Sequence, residues 1–324
     1  MEFAINKDIL LKSISRAIGI IEKKTTLPIL SNILIEAKNS KIKITATDLD
    51  IIYSEEIPLQ KLKKEGSTTT SAIILYDILR KLEPNDEAYF SLQDVNKLGL
   101  ISGNSKFNLL CIPPDNFPLA DEDIKKTAFE ISSPKMLKLL NKSKISISND
   151  ETRHYLNGIY LHKINLENKF LLTGVATDSH RLSSSSIEID SNTDFEPIIL
   201  PKKTIFQLIS LLEQNINPIK ISNTKSKIKF EMDTGILISK VIDGKFDWQR
   251  ELHSGASPPF RPFHGAWFLC GSSTIFTQTP KQRRVFPPSI SRTESEGIGE
   301  YDIFSKYQSP AEGFAPDRKI PGAV

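Results

Sequence analysis

The chain has 324 residues, with 42 lysines and arginines against 39 acidic residues and a formal net charge of +3. That length allows two or three domains with separate cores, while so mild a charge does not by itself argue for a nucleic-acid or membrane partner. Two distant cysteines, Cys111 and Cys270, give neither a disulfide framework nor metal-ligand spacing. With neither a signal peptide nor an apolar run of about 18 residues, the sequence reads as soluble and cytoplasmic.

From the N-terminus, Leu10, Leu11, Ile14, Ala17, Ile18 and Ile21 share one face of a helix predicted over 9–21. Lys12 and Arg16 lie on its polar side and Lys23-Lys24 just beyond it. A β-rich stretch, Asn32-Ile33-Leu34-Ile35, leads through a turn at Asn39-Ser40 into a strand over 41–45 and the triplet Ala46-Thr47-Asp48. Leu75, Ile78, Leu79 and Leu82 mark a second helix carrying Arg80-Lys81, with strands to follow over 88–92 and 112–117.

After the acidic Asp121-Glu122-Asp123 the pattern starts again. Met136, Leu137, Leu139 and Leu140 define a helix over 134–143 whose opposite face carries Lys135, Lys138 and Lys142. Asn157-Gly158-Ile159-Tyr160, a turn and a strand over 170–175 lead to Ala176-Thr177-Asp178, 130 positions after the first triplet. Ile205, Leu208, Ile209 and Leu212 repeat the second helix with Lys202-Lys203 at its start, and strands over 218–222 and 241–246 close the copy.

Elements recurring in one order at a nearly constant shift define two tandem copies, residues 1–126 and 127–246. Each is an α+β unit with two helices laid on one face of an antiparallel sheet. If all four helices share a face, that face is positive and would attract a phosphate backbone without reading sequence. The bland alternative is ordinary solvation of a lysine-rich surface; recurrence of the basic side in both copies favours the functional reading. From Asp247 the composition changes: residues 247–324 hold six of the ten arginines, both tryptophans and nine of the nineteen prolines, but three of the 32 lysines. This tail reads as irregular or disordered, and as encoded by DNA of a different base composition.

Asp178, His180 and Arg181 beside Ser179 and Ser183 form the most enzyme-like cluster. A hydrolase needs a nucleophile, a base and an orienting group, and no G-x-S-x-G elbow or other fixed geometry is present. Asp178 reads instead as capping or salt-bridging the turn after a strand. The histidines lack metal-ligand spacing, and no glycine-rich phosphate loop follows a strand, so no catalytic residue, metal or cofactor is assigned.

Thr26-Leu27-Pro28-Ile29-Leu30 with Asn32, Ala46-Thr47-Asp48-Leu49, Arg153-His154-Tyr155-Leu156-Asn157-Gly158, Ala176-Thr177-Asp178-Ser179-His180-Arg181-Leu182 and Val241-Ile242-Asp243-Gly244-Lys245-Phe246 together resemble the β sliding clamp of bacterial DNA polymerase III. The resemblance spans residues 1–246. It implies a DNA-clamp fold whose helices form the inner wall of a ring around duplex DNA, a non-catalytic processivity subunit that tethers the polymerase. Lys24, Arg153, Tyr155, Lys202 and Lys203 match family positions that contact DNA, and Lys12, Arg16, Lys135, Lys138 and Lys142 fall on the same wall. Leu156, Thr177, His180, Arg181 and Leu182 match one side of a cleft that receives short linear motifs of the polymerase III alpha subunit, clamp loader and repair polymerases. The family also implies a homodimeric ring with a third domain, whose place the unrelated tail takes here. Two other expectations follow: a clamp fragment that folds but neither dimerises nor loads, and a hydrolase on Asp178, His180 and Ser183.

Overall fold

Alternation of apolar and polar residues decides the first sheet. In β3 (Lys41–Thr47), Ile42, Ile44 and Ala46 are fully buried and Lys41 is exposed; β2 (Asn32–Lys38) and β4 (Ile51–Pro58) pair antiparallel on its two sides. The second copy repeats this meander as β11 (Gly158–Leu166), β12 (Lys169–Thr177) and β13 (Arg181–Ile189). The structure, a computed structural model, describes residues 1–22, 26–119, 124, 129–166, 169–190, 195–244, 246 and 273–277.

Copy one opens with β1 (Glu2–Asn6) and α1 (Lys7–Ile18); after the meander come β5 (Lys61–Lys64), β6 (Gly66–Ser71), α2 (Ala72–Lys81), β7 (Glu87–Asp94), β8 (Lys97–Ser102) and β9 (Ser105–Ile112). Copy two opens with β10 (Phe129–Ile131) and α3 (Ser133–Ser143), and after its meander has β14 (Ile198–Pro201), α4 (Lys202–Leu212), β15 (Ile219–Asn223), β16 (Lys227–Met232) and β17 (Gly235–Lys240). Among these elements only β5 lacks a counterpart in the other copy. The correspondence extends to single pairs: Thr69 faces Ile112, and 130 positions later Ile199 faces Ile242.

Two sequence expectations change. Helix α1 starts at Lys7, ahead of the apolar stripe, because the Asn6 carboxamide accepts from the amides of Asp8 at 2.9 Å and Ile9 at 3.3 Å. Among the described residues, the closing segments expected over 112–117 and 241–246 do not form continuous strands. Pro113 and Pro114 supply no N–H, so β9 ends at Ile112 and gives way to a 3-10 turn at Pro114–Asn116. In copy two β17 ends at Lys240, and among the described residues of 241–246 the isolated Ile242–Ile199 bridge is the one remaining strand-like pairing.

The helices carry their apolar stripes inward. Leu10, Ile14 and Ala17 of α1 and Leu75 and Leu79 of α2 are almost fully buried, as are Met136, Leu139 and Leu140 of α3 and Ile205 and Leu208 of α4. Pairing of β17 with β4, Ile236 to Ser54 through Ser239 to Ile51, makes one thirteen-stranded sheet of strands from both copies, in the order β10-β15-β16-β17-β4-β3-β2-β6-β9-β8-β7-β1-β5. A second sheet, β14-β11-β12-β13, is extended by β18 (Ser273–Thr277), a strand within the segment expected to be irregular.

The helices form a second connection. Within each copy α1 packs on α2 and α3 on α4. Between copies, the Gln207 amide of α4 donates to the Arg16 carbonyl of α1 at 2.8 Å. A Cβ on Gly19 would lie 2.0 Å from Gln207 Oε1, so glycine leaves the space this carboxamide occupies. The helices therefore run as one row, α2-α1-α4-α3.

Candidate nucleic-acid interface

Helix α3 presents the plainest charged face. Lys135 and Lys138 are exposed and Lys142 half-buried, opposite Met136, Leu139 and Leu140. Burial and the like charge of Lys138 both lower the Lys142 pKa, so an anion between them would relieve an existing repulsion. Lys12 is exposed on α1.

Arg16, expected on the same face, does not belong to it. Its Nη1 lies 2.7 Å from Glu55 Oε1 and its Nε donates to Gln214 Oε1 at 3.1 Å, leaving the side chain 14% exposed. Glu55 also accepts from the Ser13 hydroxyl at 2.9 Å, and the Tyr53 hydroxyl lies 2.9 Å from both Glu55 and the Thr234 carbonyl. Burial drives the Tyr53 pKa well above its ordinary value. Arg16 is thus part of a buried network linking the copies. Lys24 lies outside the described residues.

At the N-terminus of α4 the Lys202 ammonium meets the Asn149 side chain, and Lys203 meets Asp48 and, at 3.3 Å, Glu22 of copy one. Lys202, Lys203, Asn149, Glu151, Phe206 and Gly19 line an open cleft of about 630 Å³. Phe206 is 48% exposed, with the Lys144 ammonium 5.7 Å from its ring centre. Sequence reading missed Phe206, Lys144 and Asn149, although Phe206 falls off the stripe of Ile205, Leu208, Ile209 and Leu212.

The 3-10 segment Glu151–Leu156 borders this cleft. Arg153 Nε lies 2.9 Å from Asp150 Oδ2, and its Nη1 donates to the Ser179 hydroxyl. Hydrogen bonds from Thr152, then Arg153, hold the Asp150 carboxyl down to about 2. Tyr155 is half-buried with exposed His154 edge-on at 6.1 Å. The Arg153 and Asp178 motifs, far apart in sequence, are therefore neighbours.

The Ala-Thr-Asp triplets make one turn twice. Asp178 Oδ1 accepts from the amides of His180 at 3.0 Å and Arg181 at 2.9 Å; Asp48 Oδ1 accepts from Asp50 at 3.0 Å and Ile51 at 2.7 Å. The threonine hydroxyl donates across the turn to Arg181 O or Ile51 O, and the residue after the triplet, Ser179 or Leu49, has φ of 74° or 80°. Burial pulls the Asp178 carboxyl upward, but the Arg181 and His180 amides with the Arg181 guanidinium hold it below its ordinary value.

This geometry disfavours the hydrolase reading. Asp178 is engaged by its own turn, while Ser183 is fully buried and donates to the Ser143 carbonyl. Of the cleft residues, His180 and Arg181 are exposed, whereas Leu156, Thr177 and Leu182 are buried. The Thr177 hydroxyl donates to the Arg181 carbonyl and accepts from the Ser179 amide, so it holds the turn that carries His180 and Arg181. No cluster of histidine, cysteine and acidic side chains fit to hold a metal occurs among the described residues.

Residues 1–121 match the family model of the DNA polymerase III beta subunit, N-terminal domain, and residues 130–247 match that of its central domain. The chain belongs to the DNA polymerase III beta subunit family. The Caulobacter vibrioides beta sliding clamp is 34% identical over 255 residues, 78% of this chain and 68% of that protein. The Haemophilus influenzae beta sliding clamp is 29% identical over 258 residues, covering 79% and 69%. A crystal structure of the Bartonella birtlesii sliding clamp bound to griselimycin superposes with a TM-score of 0.74 at 35% identity, covering 77% of this chain and 67% of that one. A Caulobacter crescentus clamp with polyethylene glycol at a putative beta-motif tethering region gives 0.74 at 33% identity, with the same coverage. Within the family frame, the repeat boundary near residue 126 falls between the two matched segments, and the shared turn is a feature of the repeat rather than a catalytic relic.

Proposed function

We propose that this chain is a sliding clamp, a non-catalytic subunit that tethers DNA polymerase III to duplex DNA without reading its sequence. One observation carries the reading: the continuous helix row α2-α1-α4-α3 bears Lys12, Lys135, Lys138, Lys142, Lys202 and Lys203, while the sheets lie behind it. Phosphates of any sequence satisfy such a face. Arg153 and Tyr155 flank it, and Phe206 offers a stacking or sugar-packing surface beside Lys144. The engaged Arg16 is left out.

The clamp unit comprises the two repeats, residues 1–126 and 127–246. Exposed His180 and Arg181, at the rim of a cleft with Leu156 and Leu182, receive short linear motifs from the polymerase alpha subunit, clamp loader and repair polymerases. The protein acts in the cytoplasm and closes its ring with a second copy. No helix among the described residues is long and apolar enough to cross a membrane. The direct test loads the full chain onto a singly nicked circular duplex with a relative's clamp loader, then linearises the DNA. A clamp stays on the circle and leaves the linear duplex; retention on both, or on neither, contradicts topological tethering.

A further inference from the structure

The joint between the copies recurs at the far end of copy two. By the shift of 130, β13 is the counterpart of β4, the strand that receives β17. On β4 the pairs are Ser54–Ile236, Tyr53–Leu237, Ile52–Ile238 and Ile51–Ser239. On β13 they are Ser184–Thr274, Ser183–Ile275, Leu182–Phe276 and Arg181–Thr277. Ser54, Tyr53, Ile52 and Ile51 correspond, at 130, to Ser184, Ser183, Leu182 and Arg181, so β18 takes the direction and register of β17. Its sequence follows suit: Ile275-Phe276-Thr277 occupies the register positions of Leu237-Ile238-Ser239.

We propose that Ser273–Thr277 is a strand cap that closes the β13 edge in cis, at the position where a further repeat would dock. This goes beyond the clamp reading and does not depend on DNA binding. An uncovered β13 would present a row of unpaired amides and carbonyls to any other strand, including an edge of a second copy. The cap satisfies these groups from within the chain and keeps this edge from pairing with a second copy, so ring closure uses other edges. Because pairing begins at Arg181 and Leu182, the cap also adjoins the residues proposed to receive partner motifs.

Disulfide trapping in the full chain, carrying Cys111→Ser and Cys270→Ser, tests the register. Ser184→Cys with Thr274→Cys places thiols at the position matched in the copy joint by Ser54→Cys with Ile236→Cys. The expected result is an intrachain disulfide in both variants, and none for Ser184→Cys with Phe276→Cys. A bond in the joint variant but not in the β13 variant, or one between chains, overturns the cap. Sedimentation of Ile275→Pro, which puts a residue without an N–H into the strand, gives a second readout independent of disulfide geometry. Concentration-dependent association beyond that of the parent chain supports the cap, and an unchanged distribution overturns it.

Discussion

At the scale of single residues, the pair Arg16–Glu55 shows how context reassigns a charge. On a helical wheel Arg16 sits with Lys12 on the polar face, four residues apart. Nothing in local sequence reveals that Glu55, 39 residues away, and Gln214, 198 away, converge on its guanidinium. With both side chains nearly buried, removing one leaves the other charged and desolvated. Glu55→Ala should therefore cost about 3–5 kcal/mol, read as a lower urea midpoint, while barely changing duplex affinity. Asp150 gives a different signature. Its carboxyl is held down to about 2, so its contribution is complete above the unfolded value near 4 and is lost as pH falls through the folded one. Asp150→Asn should lower the melting temperature at pH 7, where that contribution is complete, and flatten the acid limb between roughly pH 4 and 2, so that variant and parent converge below it; a parallel limb would contradict the role given to Arg153 and Thr152.

At the scale of elements, the repeat, both helix stripes and the turn role of Asp178 were legible because each rests on local periodicity or on a side chain reaching its own backbone. The pairing of β17 with β4 was not, since strand register between copies leaves no local mark. Gly235 is its nearest sequence trace: φ is +146° and a Cβ there would meet the Ser54 carbonyl at 2.5 Å. Gly235→Ala should cost about 1–3 kcal/mol and speed amide hydrogen exchange in β4 and β17 more than in β11 and β12. Leu139→Ala, by contrast, opens a cavity inside copy two and should cost about 2–5 kcal/mol with the β4–β17 ladder still protected. The pair of variants separates joint strength from core strength. The missed residues of the interface, Phe206, Lys144 and Asn149, meet only because α4, the end of α3 and the segment before Glu151 share one cleft.

At the scale of the whole molecule, two ordinary α+β units present one continuous helix row by being joined twice, through a sheet ladder behind and helix contacts in front. The net charge of +3 conceals this, because the lysines of the helix row are offset by acids elsewhere. Lys203 is partly committed to Asp48 and Glu22, so the proposal rests most heavily on the α3 lysines. The most direct measurement is the affinity of the full chain for two duplexes of unrelated sequence across a salt series, for the parent and for Lys135→Glu/Lys138→Glu/Lys142→Glu. A phosphate-reading helix row requires equal affinities for the two sequences and a log–log salt slope smaller by about 0.9 for each lysine removed. Sequence preference in the parent, or an unchanged slope in a triple variant that still melts like the parent, would contradict it.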